Sequence, residues 1–451
     1  MWKLFIFLGI FFISCSEEAE TPDSTTAPVE DPVVLDTPNK LYVCDQGSDR
    51  VVVLDPNSTG LSVLSTITID FDDSQMDNPH FIVIDELSGF WFVTTMGSGY
   101  VGMYSLETDE LISSILLGDS PALMDVDEAN KKLYVSRMME MNMMSGSEGS
   151  KINVLDYSTG SLVREDDICL AESANVFEFP QPHAISFSSN TTRGPLLLSA
   201  SFTHDWFSRT DVGAGSVNMT MAVPFVEGEV APFQVDELFP LSVVQKDDYA
   251  FFSLSGSALK EGQVQSWVVG ELSNPSLKST YKFYNSSKLW HIIESPTSNH
   301  IYVVLSGSES VEESAGVACL SYNNAEEFID CNDDQSICEG DEGWDDSMGD
   351  GDWGIGEQWT DTGNNQYDDD GVLVLDWLTT DSSFDTLHGI TASSDGAYIW
   401  VSSRGDGSVY QLDAITGQIV SIATGVGMMM DDMGMGMDMG SLSGIAVTHS
   451  E

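Results

Sequence analysis

A pattern of short strand-like segments recurs along the chain and limits the possible folds more than any other feature. The clearest copy runs from His388 to Gly425 and has four parts: LHGITASSDG, AYIWVSSRGDG, SVYQLDAITG and QIVSIATG. Each part carries β-branched and aromatic residues and ends in Gly, which is typical of strands separated by turns. A four-stranded unit of about 40 to 45 residues has the length of one propeller blade.

Six copies of this unit can be aligned, and a seventh is divided between the two ends of the chain. The six copies begin near His80, Ala122, His183, Leu241, Trp290 and His388. Residues 40–70 supply three further strands, and Leu442 to Thr448 supply an isolated first strand. Pairing between them would close the ring and remove exposed sheet edges. We therefore predict an all-β fold, a seven-bladed β-propeller over residues 39–449, closed by the C-terminal strand pairing with the N-terminal blade.

The repeat motifs PHxI, LYVS and VxVLDxxTG resemble those of the YVTN/YncE-like seven-bladed β-propeller family. The resemblance covers residues 40–449, nearly all of the expected mature chain. Members of that family include surface-layer repeats, binding proteins and a few enzymes. The resemblance therefore implies the architecture and leaves the function open.

The N-terminus has the pattern of a secretory signal. In residues 1–14, Lys3 is followed by an apolar run that is too short to span a membrane as a helix. The small residue before Cys15 resembles the lipobox of bacterial lipoproteins, which implies a lipid on Cys15; an ordinary signal peptide is the alternative. Residues 15–38 are acidic and predict a disordered tether. We expect an extracytoplasmic chain anchored to the bacterial outer membrane, on its periplasmic or surface side.

Charge excludes one class of partner. The chain has 16 Lys and Arg against 72 Asp and Glu, a formal net charge of −56, so a nucleic acid would be repelled. Its hydrophobic fraction of 42% is too high for a disordered acidic chain and predicts a folded core. We expect a monomeric propeller.

Three histidines fall at the same position of the repeat. His80, His183 and His388 begin the first strands of blades two, four and seven, where those strands line the mouth of the channel. Neutral imidazoles suit Zn, Cu, Ni and Fe, so one hypothesis is a shared metal ion. The alternative is that each ring hydrogen-bonds the backbone of a neighbouring blade. His291 is one register position away and is predicted to lie outside this group.

Two methionine-rich runs are predicted on the same face as these histidines. The first, between the second and third strands of blade three, contains Met138, Met139, Met141, Met143 and Met144. The second, before the closing strand, contains Met428, Met429, Met430, Met433, Met435, Met437 and Met439. Thioether sulfur is neutral and soft and selects Cu(I), so we predict copper binding. The alternatives are an oxidant-scavenging surface, an adaptable surface for a protein partner, or low-complexity drift.

An acidic insertion over residues 331–371 predicts calcium binding. It holds 14 Asp and Glu from Asp333 to Asp370 and neither Lys nor Arg, so its charges repel unless cations neutralise them. The candidate ligands are Asp346, Asp350, Asp352, Glu357, Asp361, Asn365, Asp368 and Asp370. A solvated acidic loop is the alternative. Cys331 and Cys338 are close enough in sequence to form a disulfide at its base.

Catalytic motifs are missing from the sequence. No GxSxG, HExxH, Walker or GxGxxG motif occurs in the context that its chemistry requires, although Arg137, Arg209 and Arg404 are candidates to hold an acidic substrate near the channel mouth. We predict a non-catalytic protein that binds copper and calcium in a sequestering or delivery role. The alternatives are a surface module that binds protein or glycan, and a propeller enzyme such as a lactonase-like hydrolase.

Overall fold

The structure is a computed structural model, and the residues that it describes all belong to one compact unit, Pro38–Glu451. The described ranges are 39–118, 120–137, 151–173, 181–213, 219–226, 237–257, 260–283, 288–307, 315–322, 372–427 and 441–448. The signal peptide, Cys15 and the tether lie outside them. So do both methionine-rich runs, Cys331, Cys338 and every predicted calcium ligand.

The described residues form seven antiparallel sheets, each of which runs from an innermost strand at the channel to the outer edge of the ring. From the inside outward, blade one comprises β29 (Leu442–Val447), β1 (Leu41–Asp45), β2 (Arg50–Leu54) and β3 (Val63–Thr68). Blade two comprises β4 (Pro79–Asp85), β5 (Phe90–Thr95), β6 (Tyr100–Ser105) and β7 (Leu111–Leu116). Blade three comprises β8 (Pro121–Asp127), β9 (Lys132–Arg137), β10 (Lys151–Asp156), and the short β11 (Val163–Arg164) and β12 (Ile168–Cys169) beside β10.

The remaining four blades have four strands each. Blade four comprises β13 (Pro182–Ser188), β14 (Leu196–Ser201), β15 (Trp206–Asp211) and β16 (Met219–Pro224). Blade five comprises β17 (Pro240–Lys246), β18 (Tyr249–Leu254), β19 (Gly262–Val268) and β20 (Ser276–Phe283). Blade six comprises β21 (Leu289–Glu294), β22 (His300–Leu305), β23 (Gly316–Tyr322) and β24 (Leu373–Thr380). Blade seven comprises β25 (Leu387–Ala392), β26 (Tyr398–Ser403), β27 (Ser408–Asp413) and β28 (Ile419–Ala423).

Helical structure is scarce in the described part of the chain. It consists of the 3-10 turn Gln46–Ser48 and helix α1, Leu170–Ser173. No helix within the described ranges has the length and apolar character needed to cross a membrane.

The ring closes as the sequence predicts. Strand β29 pairs antiparallel with β1, with Leu41 opposite Val447 and Tyr42 opposite Ala446. The last strand of the chain is therefore the innermost strand of the first blade. This confirms the all-β, seven-bladed propeller with its C-terminal closure.

The hydrophobic core is divided among the gaps between blades. Each gap between neighbouring sheets holds one cluster of buried side chains in the described structure. Between blades one and two, for example, Trp91 stacks on Tyr104 with ring centroids 4.1 Å apart and packs against Tyr42 at 5.1 Å. Because the blades pack face to face all round the ring, the first residue of every innermost strand is held at the same end of the channel.

All seven innermost strands carry an irregularity at this end. The pairing of β21 with β22 shifts register between Leu289 and Ile292, and that of β25 with β26 shifts between Leu387 and Ile390. A β-bulge interrupts the alternation of side chains between the two faces. The residues just after the first position of these strands therefore do not follow a simple inward and outward pattern.

Candidate functional site: a histidine cluster at the channel mouth

Three of the innermost strands bring imidazole rings together at the mouth of the channel. His80 lies at the start of β4, His388 lies at the start of β25, and their ring centroids are 5.6 Å apart. His291 on β21 lies 4.9 Å from His388, so His388 is in contact with both other rings. We call His80, His291 and His388 the channel-mouth cluster.

The exclusion of His291 from this group was wrong. His291 is one register position away from the other histidines, and strict alternation along the first strand of blade six would point Trp290 and not His291 into the channel. The bulge between Leu289 and Ile292 removes that alternation, and both Trp290 and His291 contact the ring of His388.

The channel is narrow at this level because side chains meet across it. The ring centroids of Phe81 of blade two and His291 of blade six are 5.5 Å apart, and those of Trp290 and His388 are 5.0 Å apart. His80 and His291 are 4% exposed and His388 is 2% exposed. The cluster is therefore a buried polar group within an aromatic wall.

Five of the six ring nitrogens of the cluster lack hydrogen-bond partners among the described residues. Both nitrogens of His80, both of His388 and Nε2 of His291 are buried without one. His183 differs, because its Nδ1 lies 2.8 Å from the carbonyl oxygen of Leu241 in blade five. His183 therefore contacts the backbone of a neighbouring blade, which is the alternative that the sequence analysis set against a metal ion.

Burial keeps all four imidazoles neutral. Desolvation holds the pKa of His80 and of His388 well below the usual value, with smaller contributions from the other histidines and from Arg404. Desolvation also lowers the pKa of His183 to about 4 and that of His291 to about 3. Neutral imidazole is the form that ligates metals, whereas such a ring is a poor proton acceptor at neutral pH.

The cluster does not have a closed coordination geometry. Its ring nitrogens are not gathered as closely as the ligands of a metal ion. Among the described residues, a different group of three side chains has donor atoms within 4.8 Å of one another: His300, Cys319 and Asp376. The rings of His80, His291 and His388 must therefore turn to share a single ion.

The three arginines proposed to hold an acidic substrate lie in different places. Arg137 ends β9, and its Nε donates to Asn153 Oδ1 of β10 at 3.0 Å. Arg404 lies near the cluster, where its charge contributes to the lowered pKa of His80 and His388. Arg209 instead donates from Nη1 to the carbonyl oxygens of Val269 and Ser273 in blade five, at 3.1 and 3.0 Å. It joins two blades and does not lie at the mouth.

The strands that flank the methionine-rich runs end at the same face as the cluster. Arg137 ends β9 and Lys151 begins β10, on either side of the first run. The backbone N–H of Ser441, just after the second run, donates to the carbonyl oxygen of Arg404. The attachment points of both runs are therefore at the channel mouth.

The opposite end of the channel has an acidic cleft that sequence analysis missed. A cavity of about 580 Å³ is lined by residues at the ends of innermost strands, including Asp127, Lys246, Asp247 and Glu294. Burial raises the pKa of Glu294 to about 7, although Lys246 opposes this. A carboxylate at the end of a strand has no distinctive sequence signal, because its burial depends on how the neighbouring blades pack.

The fold and the described site define the chain as a seven-bladed β-propeller with buried histidines at its channel mouth. No protein-family model and no curated protein sequence matches it, so membership of the YVTN/YncE-like family stays a prediction. Solved structures do match. A functionally unknown protein from Desulfotomaculum acetoxidans is 12% identical, with a TM-score of 0.59 over 92% of this chain and 100% of that chain.

Two further matches carry enzyme names. A putative 6-phosphogluconolactonase from Bacteroides uniformis is 11% identical, with a TM-score of 0.59 over 91% of this chain and 100% of that chain. The periplasmic gluconolactonase of Pseudomonas aeruginosa is 13% identical, with a TM-score of 0.58 over 92% of this chain and 99% of that chain. At these identities the likeness shows the fold alone.

Proposed function

We propose that this protein is a lipid-anchored, extracytoplasmic propeller that binds copper at its channel mouth and sequesters it or hands it to a partner. The observation that carries the proposal is the channel-mouth cluster, in which five buried ring nitrogens of His80, His291 and His388 have no hydrogen-bond partner among the described residues. A buried polar atom without a partner costs roughly 1–3 kcal/mol. Several such atoms at one place are better explained by a ligand than by packing.

A transition metal fits these donors better than an organic anion does. Three neutral imidazole rings provide lone pairs without needing to lose a proton, so binding an ion costs little at neutral pH. The contacts of 4.9 and 5.6 Å between ring centroids leave His388 between the other two. A rotation of the rings about their side-chain bonds would then direct nitrogens from two or three blades to one ion.

The methionine-rich runs favour copper over zinc. Their attachment points are at the same mouth, and thioether sulfur binds Cu(I) in preference to harder ions. We propose that the runs from Met138 to Met144 and from Met428 to Met439 capture Cu(I) and that the histidines hold it deeper in the channel. A protein partner that receives the ion would dock on this face.

The anchor and the acidic insertion complete the proposal. The lipid on Cys15 would keep the propeller at the outer membrane, and the acidic insertion would bind calcium for stability. Both parts are supported by the sequence patterns alone.

Lactone hydrolysis is the second candidate function. It is favoured by the two neighbours named as gluconolactonases and by Arg404, whose positive charge near the channel mouth could hold an acidic sugar lactone. The lowered pKa of the neighbouring histidines counts against it, because a hydrolase needs a base that accepts a proton near neutral pH.

The test is a Cu(I) titration under reducing conditions against a chromophoric copper chelator. The chain beginning at Ser16 is compared with His388→Leu and with a variant in which each Met of residues 428–439 is changed to Leu. His204→Gln is the matched control, because His204 lies on the same face, in the turn between β14 and β15.

We expect tight binding in the parent and in His204→Gln, and at least tenfold weaker binding in the other two variants. Equal affinity in all four proteins would overturn the copper proposal. Turnover of a sugar lactone that is lost in Arg404→Gln would support the hydrolase instead.

A further inference from the structure

Blade six carries a second group of metal-ligating side chains, far from the channel mouth. His300 on β22, Cys319 on β23 and Asp376 on β24 have donor atoms that lie within 4.8 Å of one another. His300 Nε2 is 3.3 Å from Asp376 Oδ2, and the Cys319 thiol donates to the same oxygen at 3.9 Å. Three different strands therefore direct a nitrogen, a sulfur and an oxygen to one point.

A β-bulge places the carboxylate in this group. Trp377 lies opposite Cys319 and Leu375 lies opposite Leu320, so Asp376 is the extra residue of β24. A bulge redirects the side chain of the inserted residue. Without it, Asp376 would occupy an ordinary alternating position on the outermost strand.

The other blades provide an internal comparison. The same bulge occurs between the two outermost strands of blades one, two, five and seven, and there the inserted residues are Leu64, Ile112, Lys278 and Val420. The residues that match Cys319 in those blades are Val53, Met103, Ser266 and Gln411. The bulge is thus a feature of the repeat, whereas the set of ligands belongs to blade six.

Neighbouring hydroxyl groups orient two of the three ligands. Ser298 Oγ donates to Ser295 Oγ at 2.8 Å and lies 2.7 Å from His300 Nδ1, a geometry in which it can accept a hydrogen bond from Nδ1–H. In the tautomer with the proton on Nδ1, Nε2 has a lone pair for an ion on the side of Asp376. Ser321 Oγ donates to Asp376 Oδ1 at 3.1 Å, which leaves Oδ2 toward the group. Such partners of the outer shell are typical of metal sites.

The distances fit a tetrahedral zinc ion. Ligand bonds of about 2.0 Å to nitrogen and oxygen and about 2.3 Å to sulfur place N and O about 3.3 Å apart and S and O about 3.5 Å apart. The corresponding separations in blade six are 3.3 and 3.9 Å.

We propose that His300, Cys319 and Asp376 bind a zinc-class divalent ion with one open position for water. Cys319 is 2% exposed, while the side chains of His300 and Asp376 are 38% and 35% exposed, so solvent reaches one side of the site. On binding, the thiol proton of Cys319 leaves to solvent and sulfur bonds the ion as thiolate. This proposal is independent of copper at the channel mouth.

The site would act as a brace at the base of the longest insertion. Cys319 and Asp376 are 57 residues apart, and residues 323–371 separate β23 from β24. Bringing the two ends of a long segment together costs conformational entropy, and a metal ion that links those ends reduces this cost. The ion would fasten the outermost strand of blade six to the two strands inside it.

The experiment measures Zn²⁺ and Co²⁺ binding to the full chain after treatment with a chelator. Zn²⁺ is titrated against a chromophoric chelator, and bound Co²⁺ reports a thiolate ligand through a sulfur-to-cobalt charge-transfer absorption in the near ultraviolet. The test variants are Cys319→Ala, His300→Gln and Asp376→Asn. Cys169→Ala is the matched control, and all variants are also made in the His388→Leu background to remove the channel-mouth cluster.

In the His388→Leu background we expect one Zn²⁺ per chain with and without Cys169→Ala, and affinity about 100-fold lower in each test variant. Ser298→Ala, which only orients His300, should lose about tenfold. Asp376→Asn keeps the shape of the side chain, so it tests the site even if Cys319→Ala fails to fold. The proposal is overturned if the parent gives no thiolate absorption with saturating Co²⁺, or if that absorption survives Cys319→Ala.

Discussion

His291 and His388 lie with their ring centroids 4.9 Å apart and their planes at 72°, although they belong to neighbouring blades and to different positions of the repeat. The arrangement is an edge-to-face contact of the kind that aromatic rings prefer. A pair of phenyl rings would make the same contact without burying polar nitrogens. The imidazoles are therefore costly for the fold, and their stability cost can be measured.

Replacing His388 by Leu is expected to keep or increase stability. The substitution removes two buried nitrogens that have no partner, and the new side chain has similar volume. We expect the free energy of unfolding in metal-free buffer to stay level or rise by about 1 kcal/mol. Urea unfolding followed by tryptophan fluorescence measures it.

His183→Leu is the comparison for that prediction. It removes the contact between Nδ1 and the carbonyl oxygen of Leu241, which links blades four and five. We expect a loss of about 1–3 kcal/mol, because the buried carbonyl loses its partner. A His388→Leu variant that is less stable than His183→Leu would contradict the view that the cluster is kept for a ligand.

Acid should destabilise the propeller through its buried histidines. The pKa of His183 is lowered to about 4 and that of His291 to about 3, whereas both are about 6.5 in the unfolded chain. Between these values the unfolded state binds more protons than the folded state. The contribution of these groups to the free energy of unfolding is therefore largest above pH 6.5 and falls as the pH decreases. The slope is up to about 1.4 kcal/mol per pH unit for each imidazole.

The measurement compares unfolding at about pH 6.5, 5.8 and 5.0 for the parent and His291→Leu. The slope of the free energy of unfolding against pH should be smaller in the variant, by the amount that corresponds to about one bound proton. Carboxylates contribute equally to both proteins. Parallel curves would mean that His291 is not held neutral in the folded chain.

The architecture could be predicted from the sequence because repetition averages out local ambiguity. All four strands of the last copy of the repeat can be recognised in the sequence. The strand from Leu442 to Val447 could complete only the first blade, which has three other strands. Each strand prediction was thus supported by the equivalent strands of the other copies. The predicted copper, calcium and disulfide residues on the methionine-rich runs and the acidic insertion lie outside the described residues and remain predictions.

The candidate sites depended on features that alternation does not predict. His291 joins the channel-mouth cluster, and Asp376 meets Cys319, because a β-bulge redirects each side chain. A bulge is one extra residue in a strand, and it leaves no compositional mark. His300 and Asp376 are also 76 residues apart by their numbering, so only the closed sheet brings them together.

For Glu294, at the opposite end of the channel, we predict the reverse dependence of the free energy of unfolding on pH. Burial raises its pKa from 4.5 to about 7, so between these values the folded state binds more protons than the unfolded state. The free energy of unfolding due to this group therefore falls as the pH rises from 4.5 to about 7. Glu294→Gln should be more stable than the parent at about pH 8 and should lose that advantage at about pH 5.

Thermal unfolding of the parent and Glu294→Gln at about pH 5 and about pH 8 checks this. Glu271→Gln is the control, because Glu271 is exposed. A Glu294→Gln variant that is less stable at both pH values would show that the carboxylate forms an essential ion pair with Lys246.

Gly444 on the closing strand is predicted to tolerate no side chain. A Cβ atom there would lie 2.6 Å from the carbonyl oxygen of His80 and 2.7 Å from Cα of Phe81, both backbone atoms of β4. Gly444→Ala must therefore push β29 away from blade two, and we expect a loss of about 1–3 kcal/mol in the free energy of unfolding. Ala446→Ser also adds one heavy atom to β29, at a half-buried position, and should change stability by less than about 0.5 kcal/mol. Urea unfolding of both variants decides the point: equal stability would mean that the closing strand does not pack tightly against the strand that carries His80.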